Sequence, residues 1–176
     1  FLRNGPNPLD WVNPKKHHWF LGDGMLHGIR LDEGNALWYK NRRVSGNDST
    51  ANTSVISHAG HTYAIVEAGG YPVEIDGELN SLDSKPFYGD RTEGFTAHPK
   101  YDADTGELLA ICYDYGNDPS NVRYVVIDKA GRHKETRTIP LPSRSMVHEC
   151  AITQHYVLLL DLPITLDFYK LGRGYF

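Results

Sequence analysis

Seven short β-prone runs, each bounded by turn signals, constrain this chain more than any other feature. They are Met25–Leu31, Ala36–Arg43, Thr62–Glu67, Leu108–Tyr115, Val122–Asp128, His133–Ile139 and Tyr156–Asp161. No long apolar pattern with a period of about 3.6 residues runs through them, so strands rather than helices are expected. The turns between them are chemically explicit. Asp104-Thr105-Gly106 and Asp128-Lys129-Ala130-Gly131 suit tight turns, because glycine takes positive φ at little cost. Asn117-Asp118-Pro119-Ser120 reads as the closure of a hairpin, Gly22-Asp23-Gly24 as a tight turn between strands, and polar Ser45–Thr53 as a surface loop. The fold class expected is all-β, a meander whose hairpin spacing fits a sandwich, a barrel or a propeller.

Leu108–Ile139 reads as three successive antiparallel strands, which is most of one propeller blade. At that rate the chain covers about two to three blades, fewer than a closed ring needs. The expectation is therefore a piece of a longer protein. Such a piece would expose a strand edge and a core face, and would not fold stably alone.

Composition narrows the function classes. With 176 residues, 40% hydrophobic, 23% charged and a formal net charge of -4, the chain has the make-up of a soluble globular protein. It shows no basic run or basic–aromatic stripe, which argues against a nucleic-acid partner. The longest apolar run, Tyr156–Leu160, is strand-sized and well short of a membrane span. Cys112 and Cys150 give no disulfide framework, so a reducing, cytoplasmic setting is the simple reading. The chain opens at Phe1 rather than Met and shows no signal-peptide pattern.

Two histidines open similar stretches. His98 stands in Phe95-Thr96-Ala97-His98-Pro99-Lys100, and His148 in Met146-Val147-His148-Glu149-Cys150-Ala151-Ile152-Thr153. Each follows an irregular segment and precedes a strand-like run. Two imidazoles at strand entrances are what a metal centre on the axis of a propeller needs. In extended chain Glu149 would face away from His148, and Cys150 would share its face. Other histidines read as structural. His17 and His18 are adjacent and would point apart. His58 and His61 suit a hairpin, His27 suits packing, and His133 and His155 look exposed. Gly22-Asp23-Gly24 is not a phosphate loop, because no Lys-Ser/Thr and no helix follows. No Cys–His–acid set is evident, nor a motif for a zinc hydrolase.

A set of short words, taken in order, resembles one family along essentially the whole chain. The words are Phe1-Leu2-Arg3-Asn4-Gly5-Pro6-Asn7-Pro8, His18-Trp19-Phe20-Leu21-Gly22-Asp23-Gly24-Met25-Leu26-His27-Gly28 and Trp38-Tyr39-Lys40-Asn41-Arg42. Asn52-Thr53-Ser54-Val55, Glu67-Ala68-Gly69-Gly70-Tyr71-Pro72 and the two histidine words follow. Together they resemble the carotenoid cleavage oxygenases, the bacterial carotenoid and apocarotenoid branch above all. The resemblance implies a seven-bladed β-propeller capped by loops, with residues 1–176 as the N-terminal portion of that single domain. It implies iron(II), Fe(2+), on the axis, held by four histidines, with O2 at an open coordination position. The implied reaction cleaves a conjugated C=C bond of a carotenoid or apocarotenoid into two carbonyl products.

By motif match, His98 and His148 are the implied first and second iron ligands, and the other two lie beyond this sequence. Neutral imidazole suits iron(II) and leaves the metal charge largely uncompensated. A metal-bound histidine usually donates its other N–H to an acceptor that fixes its orientation. Glu67, at the end of the Thr62–Glu67 run, matches the family's first glutamate of that kind, and its implied partner is His148 rather than His98. Val66 matches a position near iron and substrate where stilbene-cleaving relatives have Lys to bind a phenol. Valine cannot do so, which tilts the substrate toward apolar polyenes. A long polyene must leave a membrane for the tunnel, so peripheral membrane contact is also implied. The alternatives are a stilbene-cleaving dioxygenase of the same fold, an isomerase of retinoid esters that keeps the iron, and a non-catalytic binding propeller without iron.

Overall fold

The computed structural model describes residues 1–15, 17–46, 50–68, 70–83, 86–88, 94–114, 118–143, 145–165, 167 and 170. Strand dominates their regular structure, with a single-turn 3-10 segment at Trp19–Leu21 and a kinked one at Pro86–Tyr88, where Phe87 has φ 59°. Every strand pair is antiparallel. The chain divides into two compact units, Phe1–Val66 with Gly70–Pro86, and Glu67–Gly69 with Phe87–Phe176.

In the first unit, β1 (Leu2–Asn7), β2 (Asp23–Asp32) and β3 (Asn35–Arg43) form a sheet in that order. A second sheet holds β4 (Ser54–His58), β5 (His61–Ile65) and β6 (Val73–Ile75). Alternation along β2 buries Gly24, Leu26 and Gly28 and leaves the residues between them half-buried. Leu26, Val44, Ala51, Ala64, Val73, Ile75 and Leu79 close the core.

Three sequence expectations change here. β1 was not among the expected runs. It is an edge strand, where proline's missing donor costs no ladder bond. The Ser45–Thr53 stretch is not wholly a surface loop. Ala51 is fully buried, and Asn52, 3% exposed, donates from Nδ2 to the carbonyls of Phe20 and Gly22 at 2.7 Å each. Nor is Gly22-Asp23-Gly24 a turn. Gly22 is extended and caps the Trp19–Leu21 segment, while Asp23 and Gly24 already belong to β2. Glycine is needed at 24 because a Cβ there would lie 2.5 Å from the Ala51 carbonyl oxygen and 2.7 Å from that of Thr50.

In the second unit, β7 (Lys100–Tyr101), β8 (Leu108–Asp114), β9 (Asp118–Ile127) and β10 (His133–Pro140) form one four-stranded meander in the order β10-β9-β8-β7. The three expected strands are present, and β7 completes the set. The Asp118-Pro119-Ser120 part of the expected hairpin closure lies inside β9, and Asn117 lies outside the described residues. The other two turns form as read. Asp102 accepts the N–H of Asp104 and the hydroxyl of Thr105 before Gly106 at φ 75°. Asp128 accepts the N–H groups of Ala130 and Arg132 around Gly131 at φ 77°.

β11 (Cys150–Ile152) pairs with β12 (Val157–Leu159) as a two-stranded sheet. The apolar cluster of this unit joins Ile111 and Tyr113 of β8 and Val122 of β9 to Val147 and Cys150. Beyond it, Leu158, Leu160, Leu162 and Ile164 stand 46–58% exposed, so a run of apolar side chains on and after β12 faces outward. Among the described residues, no helix is long and apolar enough to cross a membrane.

Candidate metal centre

The second unit brings three distant residues together. Glu67, His98 and His148 offer ligand atoms that all lie within 4.8 Å of one another. Each is placed by its neighbours.

Phe95, Thr96 and Ala97 are buried, and Phe95 packs on Phe87 with ring centroids 5.2 Å apart. Thr96 Oγ1 accepts the N–H of His98 at 3.3 Å, and Arg123 of β9 donates to the Gly94 carbonyl. Pro99 disfavours helical backbone at His98 and so leads the chain, extended, into β7. His98 is therefore presented half-buried at a strand entrance.

His148 is presented in the same way at the entrance to β11. Val147 and Cys150 are sunk in the apolar cluster, which fixes the backbone on both sides of it. Its side chain is left 61% exposed. Cys150 is buried, but among apolar groups. That burial pushes its thiol above the ordinary value, which suits packing and not a nucleophile.

Glu67 does not end a strand as expected. β5 stops at Ile65, and Ala68 at φ 52° bends the chain immediately after Glu67. That bend turns the carboxylate to His148, whose Nδ1 lies 2.5 Å from Oε2. An ionised carboxylate can only accept, so Nδ1 carries the proton, and in the neutral imidazole Nε2 then keeps its lone pair. The other carboxylate oxygen, Oε1, accepts the hydroxyl of Tyr113, a residue of β8 that is 4% exposed. Each oxygen of Glu67 thus accepts one hydrogen bond, one from His148 and one from Tyr113. The rings of His98 and His148 meet edge-on, with centroids 4.6 Å apart and planes at 65°. Two neutral imidazoles in contact, each with one nitrogen to offer, suit a borderline cation such as iron(II). The donor set fits two ligand positions of such an ion and leaves the others open.

Two participants were not found from sequence. Tyr113 is 46 residues from Glu67, and nothing local in Ile111–Asp114 marks its hydroxyl. Lys100 was only part of a motif. Its Nζ lies 2.7 Å from Oε1 of Glu149. Glu149 also accepts the N–H of Cys150 at 2.9 Å. Burial opposes ionisation of Glu149, but the hydrogen bonds from Lys100 and the Cys150 N–H outweigh it and hold the carboxyl below its ordinary value. Val66 is half-buried and immediately precedes Glu67, where it adds no polar group.

The remaining histidines lie outside this cluster. His27 Nδ1 is 2.6 Å from the Tyr39 hydroxyl across β2 and β3. His58 and His61 flank the two-residue turn of β4 and β5, where His61 meets Glu74 at 2.6 Å. His18 accepts the N–H of Phe20, and His133 and His155 are exposed.

Residues 1–48 and 44–175 match the family described as retinal pigment epithelial membrane protein, RPE65. A carotenoid cleavage oxygenase of Mycobacterium tuberculosis is 39% identical over 188 residues, covering 95% of this chain and 37% of that protein. A carotenoid 9,10(9',10')-cleavage dioxygenase of Crocus sativus is 31% identical over 221 residues, covering 99% of this chain and 40% of that protein. The crystal structure of a lignostilbene dioxygenase from Pseudomonas brassicacearum superposes with a TM-score of 0.86 at 28% identity, over 99% of this chain and 42% of that one. The fold is thus part of a seven-bladed β-propeller. The chain spans about two fifths of the length of these relatives.

Proposed function

The chain belongs to the RPE65 and carotenoid oxygenase family, and from that premise we propose that it is the N-terminal portion of a non-haem iron(II) dioxygenase. The substrate class is a carotenoid or apocarotenoid. One conjugated C=C bond and one O2 are consumed, and each new carbonyl group takes one oxygen atom. The observation that carries the reading is the Glu67–His148–His98 cluster. An unrelated structural histidine pair would need no buried tyrosine and carboxylate stacked behind one ring.

His98 and His148 would hold the iron through their free nitrogens, with further ligands supplied from outside these residues. Iron(II), when bound, supplies O2 activation. The residues of this chain do the positioning. Glu67 fixes the tautomer of His148 and so aims Nε2. Tyr113 anchors Glu67 to β8, a central strand of the four-stranded sheet. The exposed side chain of His148 and the outward apolar side chains from Leu158 to Ile164 are what a larger propeller would cover.

A two-histidine, one-carboxylate iron site is a weaker reading, because each oxygen of Glu67 is already engaged, one with His148 and one with the Tyr113 hydroxyl. Stilbene cleavage has one observation in its favour, the match to the lignostilbene enzyme. Val66 argues against it, since a valine offers no donor to a phenol. Cytoplasmic placement with peripheral membrane contact remains part of the proposal, as the source of an apolar substrate.

The test is to incubate the full-length protein, loaded with iron(II), with an apocarotenoid or a hydroxystilbene under 18O2. Labelled aldehyde from the apocarotenoid supports the reading. Aldehyde from the stilbene alone moves the substrate class, and no cleavage of either overturns the dioxygenase assignment.

A further inference from the structure

The two histidine segments are joined by a second link besides the contact of their rings. Lys100 is the first residue of β7 and stands two residues after His98. Glu149 directly follows His148. Their ion pair, at 2.7 Å, runs from one segment to the other. The Glu149 end is itself fixed, because the same Oε1 accepts the N–H of Cys150, and Cys150 is sunk in the apolar cluster. The Lys100 end is fixed by the pairing of Lys100 with Leu109 of β8, whose side chain is buried. Each charge is thus rooted in a different sheet: Lys100 in the four-stranded meander, and Glu149 at the start of β11.

We propose that Lys100 and Glu149 are positioning residues, a tie that sets the separation and angle of the segments carrying His98 and His148. The tie acts before any metal arrives, by presenting two nitrogens already converged. The inference rests on the iron reading given above. It differs from the role of Glu67, which orients one ring. The tie instead relates one histidine segment to the other.

A purely electrostatic role makes a different prediction. Removing the ammonium would leave a bare carboxylate near the metal and strengthen cation binding. Removing the carboxylate would leave a bare ammonium and weaken it. A mechanical tie is broken by either change, so both must weaken binding, and breaking it twice must cost no more than breaking it once.

The experiment uses the full-length protein, made metal-free and titrated anaerobically with iron(II) against a competing chelator. Lys100→Met and Glu149→Gln are each expected to weaken iron affinity by about two- to tenfold, since the pair is partly exposed. The double variant should match the singles. Lys100→Arg, which keeps the bridge, should stay at wild-type affinity. The melting temperature of the metal-free protein should hold across the set. Singles that shift in opposite directions, singles equal to wild type, or an additive double variant would overturn the inference alone. A wild type that takes up no iron overturns the iron reading and this inference with it.

Discussion

Removing the carboxylate of Glu67 is the most informative single perturbation. One oxygen holds His148 at 2.5 Å, the other holds the Tyr113 hydroxyl, and the group itself is only 16% exposed. A hydrogen bond to a charged group contributes about 1.5–3 kcal/mol, and a neutral one about 0.5–1.5 kcal/mol. In Glu67→Gln the amide oxygen can still accept from His148, and the Tyr113 hydroxyl can turn to accept from the amide. Only the charge assistance is lost, about 1 kcal/mol or slightly more. In Glu67→Ala both bonds go. At about 1.4 kcal/mol per tenfold, iron(II) affinity should fall roughly fivefold in the glutamine variant. It should fall about ten- to hundredfold in the alanine variant, the range typical of such outer partners. The assay is anaerobic iron titration of the full-length protein, with circular dichroism to establish that the fold is retained. A folded Glu67→Ala protein that binds iron within about twofold of wild type would refute the claim that Glu67 aims His148.

Further predictions follow from the same contacts. Tyr113→Phe removes one buried hydroxyl and nothing else, so it should weaken iron binding about fivefold through Glu67 while changing far-UV circular dichroism little. Gly24→Ala drives a methyl group into two backbone carbonyls and should cost about 1–3 kcal/mol of stability, read as a lowered denaturant midpoint. Three turn carboxylates are held below their ordinary value of 3.8: Asp76 by the Asn80 side chain, Asp102 by the Thr105 hydroxyl, and Asp128 by the Arg132 N–H. Depressed folded values stabilise the fold above about pH 3.8, and that stabilisation is lost as pH falls through the lower folded values. Asp128→Asn should therefore flatten the acid limb of a stability–pH curve, and an unchanged slope would contradict the assignment.

What was legible in the sequence was local. β8, β9 and β10 follow from alternation, and the Asp102–Gly106 and Asp128–Gly131 turns follow from aspartate and glycine at fixed offsets. His98 and His148 stand out because each precedes a strand, and Glu67 enters by resemblance to a family motif. What was not legible depends on partners far away in the chain. Gly24 looked like a turn glycine, because the carbonyls that require it belong to residues 50 and 51. Asn52 looked solvated, because the carbonyls it satisfies are about 30 residues upstream. β1 was not read from Leu2–Asn7, since a strand's edge position is a property of the sheet and not of the segment. Tyr113 and Lys100 carry no local mark at all. Their roles exist only once β8 lies behind Glu67 and β7 lies beside the start of β11.

The central claim is that His98 and His148 hold one metal ion together. The direct measurement is metal content by mass spectrometry of the full-length protein purified without oxygen, for wild type, His98→Ala and His148→Ala. The account predicts near-stoichiometric iron in the wild type and its loss in both variants, each still folded. A folded wild type that stays free of iron after reconstitution, or variants that keep it, would contradict the account.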